Sequence, residues 1–107
     1  MSDVISAVVQ PFVRRGLFAS PEVAVAEMAR EYTLRQIERY RAAVERLQIK
    51  HGMAYEQFDA YLRARSATLM AKPDPLLNEA VMEEEEDALD WKIARESLNG
   101  WLLNEST

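Results

Sequence analysis

Ser20-Pro21-Glu22-Val23-Ala24-Val25-Ala26-Glu27-Met28-Ala29-Arg30 opens a stretch that meets no further glycine or proline until Gly52. Ser20 has the side chain of a helix N-cap, a hydroxyl able to accept from the first free amides. Pro21 falls at the first helical position, where its missing N–H costs no hydrogen bond, and Glu22 suits the positive end of the helix dipole. Val23 stands three residues after Ser20, so the start lacks a full capping box. The pattern predicts one helix from 21 to about 50, near 45 Å long at roughly 1.5 Å per residue. Val25, Met28 and Tyr32 begin an apolar stripe, which Leu34, Ile37, Tyr40, Val44 and Leu47 continue at spacings of three and four. Charged residues lie between them, with Glu31 and Arg35 placed for a solvent-face pair. Such a helix is longer than a 107-residue monomer needs. It invites either a long helical hairpin or a partner laid alongside, and in the second case Leu34, Ile37, Tyr40, Val44 and Leu47 are the expected seam of a homodimer. Gly52 is the expected left-handed cap, and His51 reads as a last-turn residue suited to the negative helix end.

Working outward, Val4, Ile5, Val8, Val9, Phe12 and Val13 repeat at helical spacing. This first helix is expected to bend or restart near Pro11 and to end at Gly16. Beyond Gly52 a third helix is expected over about 54–70. Tyr55, Phe58, Leu62 and Leu69 lie on its apolar face, Tyr61 flanks it, and Arg63 and Arg65 face out. Ala54 caps that helix less well than a serine would. Pro73-Asp74-Pro75 reads as a linker, because each proline pushes the residue before it out of the helical region. A fourth helix is expected over about 76–99, fraying or capped at Asn99-Gly100. No stretch alternates as a strand does. The fold class is all-α: a helical hairpin or bundle on one long central helix, with an acidic C-terminal helix. The expected division is a helical body at 1–72, a linker at 73–75 and a partner-binding segment at 76–107.

The formal charge of −5 is unevenly spread. Residues 1–72 carry +3 and residues 73–107 carry −8. Such asymmetry points to a partner, or to a tail that docks on its own body. With no cysteine, disulfides, thiolate catalysis and zinc–thiolate sites are excluded. No apolar run approaches the roughly 18 residues of a membrane span. The start of the chain lacks a basic region, so no secretory signal is expected and the cytoplasm is the expected location.

Catalysis finds little support. His51 is the single histidine, and the three glycines are too far apart for a phosphate loop. No enzyme and no cofactor are expected. Glu83, Asp87 and Asp90 share a helical face and suit a hard cation loosely, but a solvated face is the preferred reading and no metal is expected. Arg30, Arg35, Arg39, Arg41, Arg46 and Lys50 include phosphate-contact types, diluted by interspersed glutamates. The last helix is the most unusual element. Its run Glu83-Glu84-Glu85-Glu86-Asp87 precedes the stripe Ala88, Trp91, Ala94, Leu98 and Trp101. Two readings stand side by side: Trp91, Leu98 and Trp101 anchor a partner while the acids steer it, or the stripe closes the chain's own core.

Arg15-Gly16-Leu17-Phe18-Ala19-Ser20-Pro21-Glu22-Val23-Ala24-Val25 resembles the inter-helix turn of small bacterial antitoxins of the CopG/ParD type. Over most of the chain the order of segments is similar to that of antitoxin partners of TumE-type toxins. The segments are Pro11–Val13, Gly16–Glu22, Leu34–Arg41, His51–Met53, Phe58–Leu62 and Glu84–Trp101. The resemblance implies a cytoplasmic antitoxin that neutralises a small toxin by protein contact. A ribbon-helix-helix DNA reader needs an N-terminal strand, which this helical start does not supply. The alternatives are a homo-oligomeric structural or adaptor protein and a DNA-binding autoregulator.

Overall fold

The computed structural model describes residues 2–106. It has four helices and, among the described residues, no strand: α1 (Asp3–Arg14), α2 (Pro21–His51), α3 (Tyr55–Ala71) and α4 (Pro75–Ser106). The all-α architecture and the long central helix follow the sequence reading. Ser20 Oγ accepts from the Val23 amide at 3.2 Å, and Ser2 Oγ does the same for Ile5 at 3.3 Å, so both helices start on a hydroxyl cap. α1 continues through Pro11 without the restart that was one of its expected forms. The proline removes one bond to the Ala7 carbonyl, and both residues are exposed, so water can take the place of the missing amide. α1 ends as a Schellman motif: the Gly16 amide donates to Val13 and the Leu17 amide to Phe12. Gly16 takes the positive φ of 75° that this motif requires.

The chain forms two compact units, Met1–Gln36 and Ile37–Thr107. The first contains α1 and the opening turns of α2. Its buried residues are Val9, Ala24 and Thr33, whose hydroxyl donates to the Ala29 carbonyl at 2.9 Å. The second contains the rest of α2, with α3 and α4 packed on each other. The expected boundary at 73–75 falls inside this second unit. Only Lys72, Pro73 and Asp74 separate α3 from α4. Asp74 Oδ1 accepts from the amides of Leu76 and Leu77, at 3.0 and 3.3 Å, and Pro75 takes the first helical position. The Pro-Asp-Pro segment is thus a hairpin turn and helix start, and no spacer between domains. Thr107, the last residue of the expected C-terminal segment, lies outside the described residues.

α4 also outruns its expected end at 99. Gly100 lies within the helix and lacks the positive φ of a cap. An isolated glycine weakens a helix by only about 1 kcal/mol relative to alanine, and Trp101, Leu102 and Leu103 carry the helix onward. In the second unit the core gathers Leu47 of α2, Phe58 and Leu62 of α3 and Trp91 of α4. Val44, Met53, Tyr55 and Ala88 pack against it.

Two substitutions test the helix ends. The Gln57 side chain accepts from the Ala54 amide at 3.0 Å, but Ala54 has no oxygen to return the bond. Ala54→Ser completes the box and is expected to raise stability by about 0.5–2 kcal/mol in urea denaturation. Gly100→Ala places its Cβ in open space and is expected to add about 0.5–1 kcal/mol by the same measurement.

Candidate functional site

The residues expected to meet a partner divide between the two faces of α4. Trp91 is fully buried, which corrects its expected place among exposed anchors. It meets Phe58 at 5.7 Å and the edge of Tyr55 at 5.6 Å between ring centroids. Each such aromatic pair contributes about 0.5–1.5 kcal/mol beyond the area it buries. Leu98 and Trp101 are half-buried. Of the expected dimer seam, Leu47 is fully buried in the chain's own core and Ile37 is also buried. Tyr40 and Val44 are half-buried, and Leu34 alone of the five is exposed. The apolar stripe of α2 is spent largely on this chain.

The acidic run divides in the same way. Asp87 receives Lys50 Nζ at 2.6 Å and His51 Nε2 at 2.8 Å, tying the end of α2 to the middle of α4. His51 is the last residue of α2, as its sequence position implied, and it also packs inward. Its ring lies 4.0 Å from that of Phe58, nearly parallel, and stacks toward Trp91 at 6.2 Å. Burial pushes the Asp87 carboxyl upward, but the hydrogen bonds from Lys50 and His51, with their charges, outweigh it and hold the pKa below its ordinary value. With one face on Phe58 and Nε2 on Asp87, the imidazole is committed to a clamp. Glu84 pairs with Arg65, which also bonds the Tyr61 hydroxyl. Arg65 was expected to face out; it is half-buried because Glu84 and Tyr61 draw it across the α3–α4 junction. Glu85 lies 3.5 Å from Ser66 Oγ. Arg95 bonds Glu56 at 2.7 Å and covers the Tyr55 ring at 4.5 Å. Among the described residues no group of three acids or histidines is arranged to hold a metal, and Asp87 turns inward to Lys50 and His51.

What α4 leaves outside is a second, unexpected stripe. Met82, Leu89 and Ile93 are 57%, 58% and 50% exposed. Their spacing of seven and four puts them on one line of the helix, opposite Trp91. Glu79, Glu86 and Asp90 flank this line on one side, and Glu85 and Glu96 on the other; all five are exposed. Sequence spacing contained the signal. Glu84, Asp87 and Trp91 stand three and four apart, so two of the acids share the tryptophan face, and the apolar residues missing from that face must lie elsewhere. Asp3–Arg14 is helical, so the start of the chain does not form the strand of a ribbon-helix-helix reader. No helix is long and apolar enough to cross a membrane among the described residues. No known protein family, curated protein or solved structure matches the chain.

The clamp has a pH signature. A carboxyl held below its ordinary value of 3.8 contributes stability that is complete above that value. That contribution is lost as pH falls through the lowered folded value. Asp87→Asn is expected to cost about 1.5–3 kcal/mol near neutrality, and the gap from the wild type should narrow below pH ~4 in denaturant melts.

Proposed function

We propose that this chain is an antitoxin-like protein of the prokaryotic cytoplasm. It acts by contact: the outer face of α4 receives a basic surface of a small toxin and blocks it. One observation carries the reading: Met82, Leu89 and Ile93 form an exposed apolar line bordered by five exposed acids. A solvated helix face has no use for three large apolar side chains in register, whereas an interface uses them as its dry centre. The acids around them speed encounter with a cation-rich partner and disfavour an acidic one. The resemblance of the segment order to antitoxins of TumE-type toxins supplies the partner class. In this reading the anchors are Met82, Leu89 and Ile93, with Glu79, Glu85, Glu86, Asp90 and Glu96 as the steering rim. Trp91 contributes by docking α4 on α3 beneath them.

The test is coexpression with the small gene adjacent to this one, scored by growth and by copurification. Restored growth and a stable complex are expected. The double variant Leu89→Asp, Ile93→Asp should weaken that complex by about 100-fold or more. Its thermal melt should stay close to that of the wild type, because both side chains are exposed. Undiminished toxicity with no complex, or a complex indifferent to the double variant, overturns the reading.

A further inference from the structure

Two rows of residues at heptad spacing run side by side along the outer face of α4. One is Met82, Leu89, Glu96 and Leu103; the other is Glu79, Glu86, Ile93 and Gly100. Every one of them is exposed. The rows are offset by three and four residues, so they are neighbours on the helix surface. Glu86 follows Met82 by four residues and precedes Leu89 by three, so it stands in the seam as well as at its border. Apolar residues and glutamates thus share one seam, the pattern by which a helix receives another laid nearly parallel to it.

Charge selects what can lie there. The inward acids of the same helix, Glu84 and Asp87, find their partners within the chain, in Arg65, Lys50 and His51. Among the described residues Glu79, Glu86 and Glu96 form no ion pair. A second copy of this seam brings three more glutamates and no cation. The complement is a partner with lysine or arginine set among its apolar residues. Period selects the partner's backbone. Side chains repeat along each row every seven residues, about 10.5 Å at roughly 1.5 Å per residue. A second helix repeats its own seam at that distance and stays in register along α4. A strand presents same-face side chains every ~6.8 Å and is out of register at the next contact. Building on the reading of this face as the seat of a basic partner, we propose that the element it receives is a basic amphipathic helix, laid along α4 with a lysine or arginine on Glu86. An unpaired carboxylate enclosed between Met82 and Leu89 is costly, so Glu86 rejects a helix that sets leucine opposite it.

Three dye-labelled peptides of about 14 residues test this by fluorescence anisotropy against the full chain. Two share one composition of leucine and lysine. The first spaces its leucines by three and four, as a helix requires, and the second alternates them, as a strand requires. The third replaces each lysine of the first by glutamate. The helical-period lysine peptide is expected to bind at least about 10-fold more tightly than either of the others. Glu86→Lys should weaken that binding by about 10-fold or more. Glu45→Lys makes an equal change of charge at an exposed place on α2, and should weaken it by less than about 2-fold at ~0.15 M salt. Both substitutions are on the surface, and both thermal melts should match that of the wild type. Equal affinity for the two lysine peptides, lost in the Leu89→Asp, Ile93→Asp double variant, overturns the helix while keeping the basic partner. Equal weakening by Glu86→Lys and Glu45→Lys, or no binding of the helical-period lysine peptide up to millimolar concentration, also overturns the proposal; coexpression with the adjacent gene then judges the toxin-binding reading separately.

Discussion

The burial of Trp91 is the constraint from which the second unit is arranged. A tryptophan is too large to be enclosed by one neighbouring helix, so α2 and α3 both contribute to its pocket. Leu47 and His51 come from α2, Tyr55, Phe58 and Leu62 from α3. Once the indole is inside, the helical period settles every other side chain of α4. Glu84 and Asp87 share its side and need partners there, which Arg65, Lys50 and His51 supply. Met82, Leu89 and Ile93 are turned outward by the same geometry, with no freedom to rejoin the core. The outer stripe is therefore a consequence of where Trp91 sits.

Polar groups within that core are satisfied as well as buried. His51 stacks on Phe58 while its Nε2 meets Asp87, so an aromatic surface and a carboxylate share one side chain. Among the described residues no buried side-chain nitrogen or oxygen lacks a partner. A charged pair in such a position contributes less to net stability than to specificity, since removing one member leaves the other uncompensated. It fixes the rotation of α4 about its axis, which apolar contacts alone, tolerant of slippage, fix less sharply.

Local signals were legible where they act over a few residues. Ser20-Pro21 and Gly52 mark the ends of α2 because capping depends on the chain within one turn. The extent of α4 was not legible, since Gly100 is a stop signal in isolation and only favourable neighbours on both sides carry a helix across it. Pro73-Asp74-Pro75 misleads in a similar way: prolines that break one helix are also the residues that start the next. His51 was the least legible of all. A last-turn place is all that its neighbours announce; its partner Asp87 stands thirty-six residues later, and nothing in the spacing marks Phe58, seven residues later, as the ring it stacks on. The inward place of Asp87 was readable from its spacing to Trp91, once the tryptophan was taken as core.

The three-residue turn between α3 and α4 has a kinetic consequence. Closing a short loop costs little chain entropy, and helix pairs with such connections are the contacts a folding chain reaches first. Asp74 favours the start of α4 before any tertiary contact exists, and the aromatic face of α3 is then the nearest surface for Trp91. α2 meets this hairpin through fewer residues, Leu47 and His51 among them. In this order of events the α3–α4 hairpin is the nucleus of the second unit. Changes at Phe58 or Trp91 then register in the folding rate, and changes at the Lys50–Asp87 contact register chiefly in the unfolding rate.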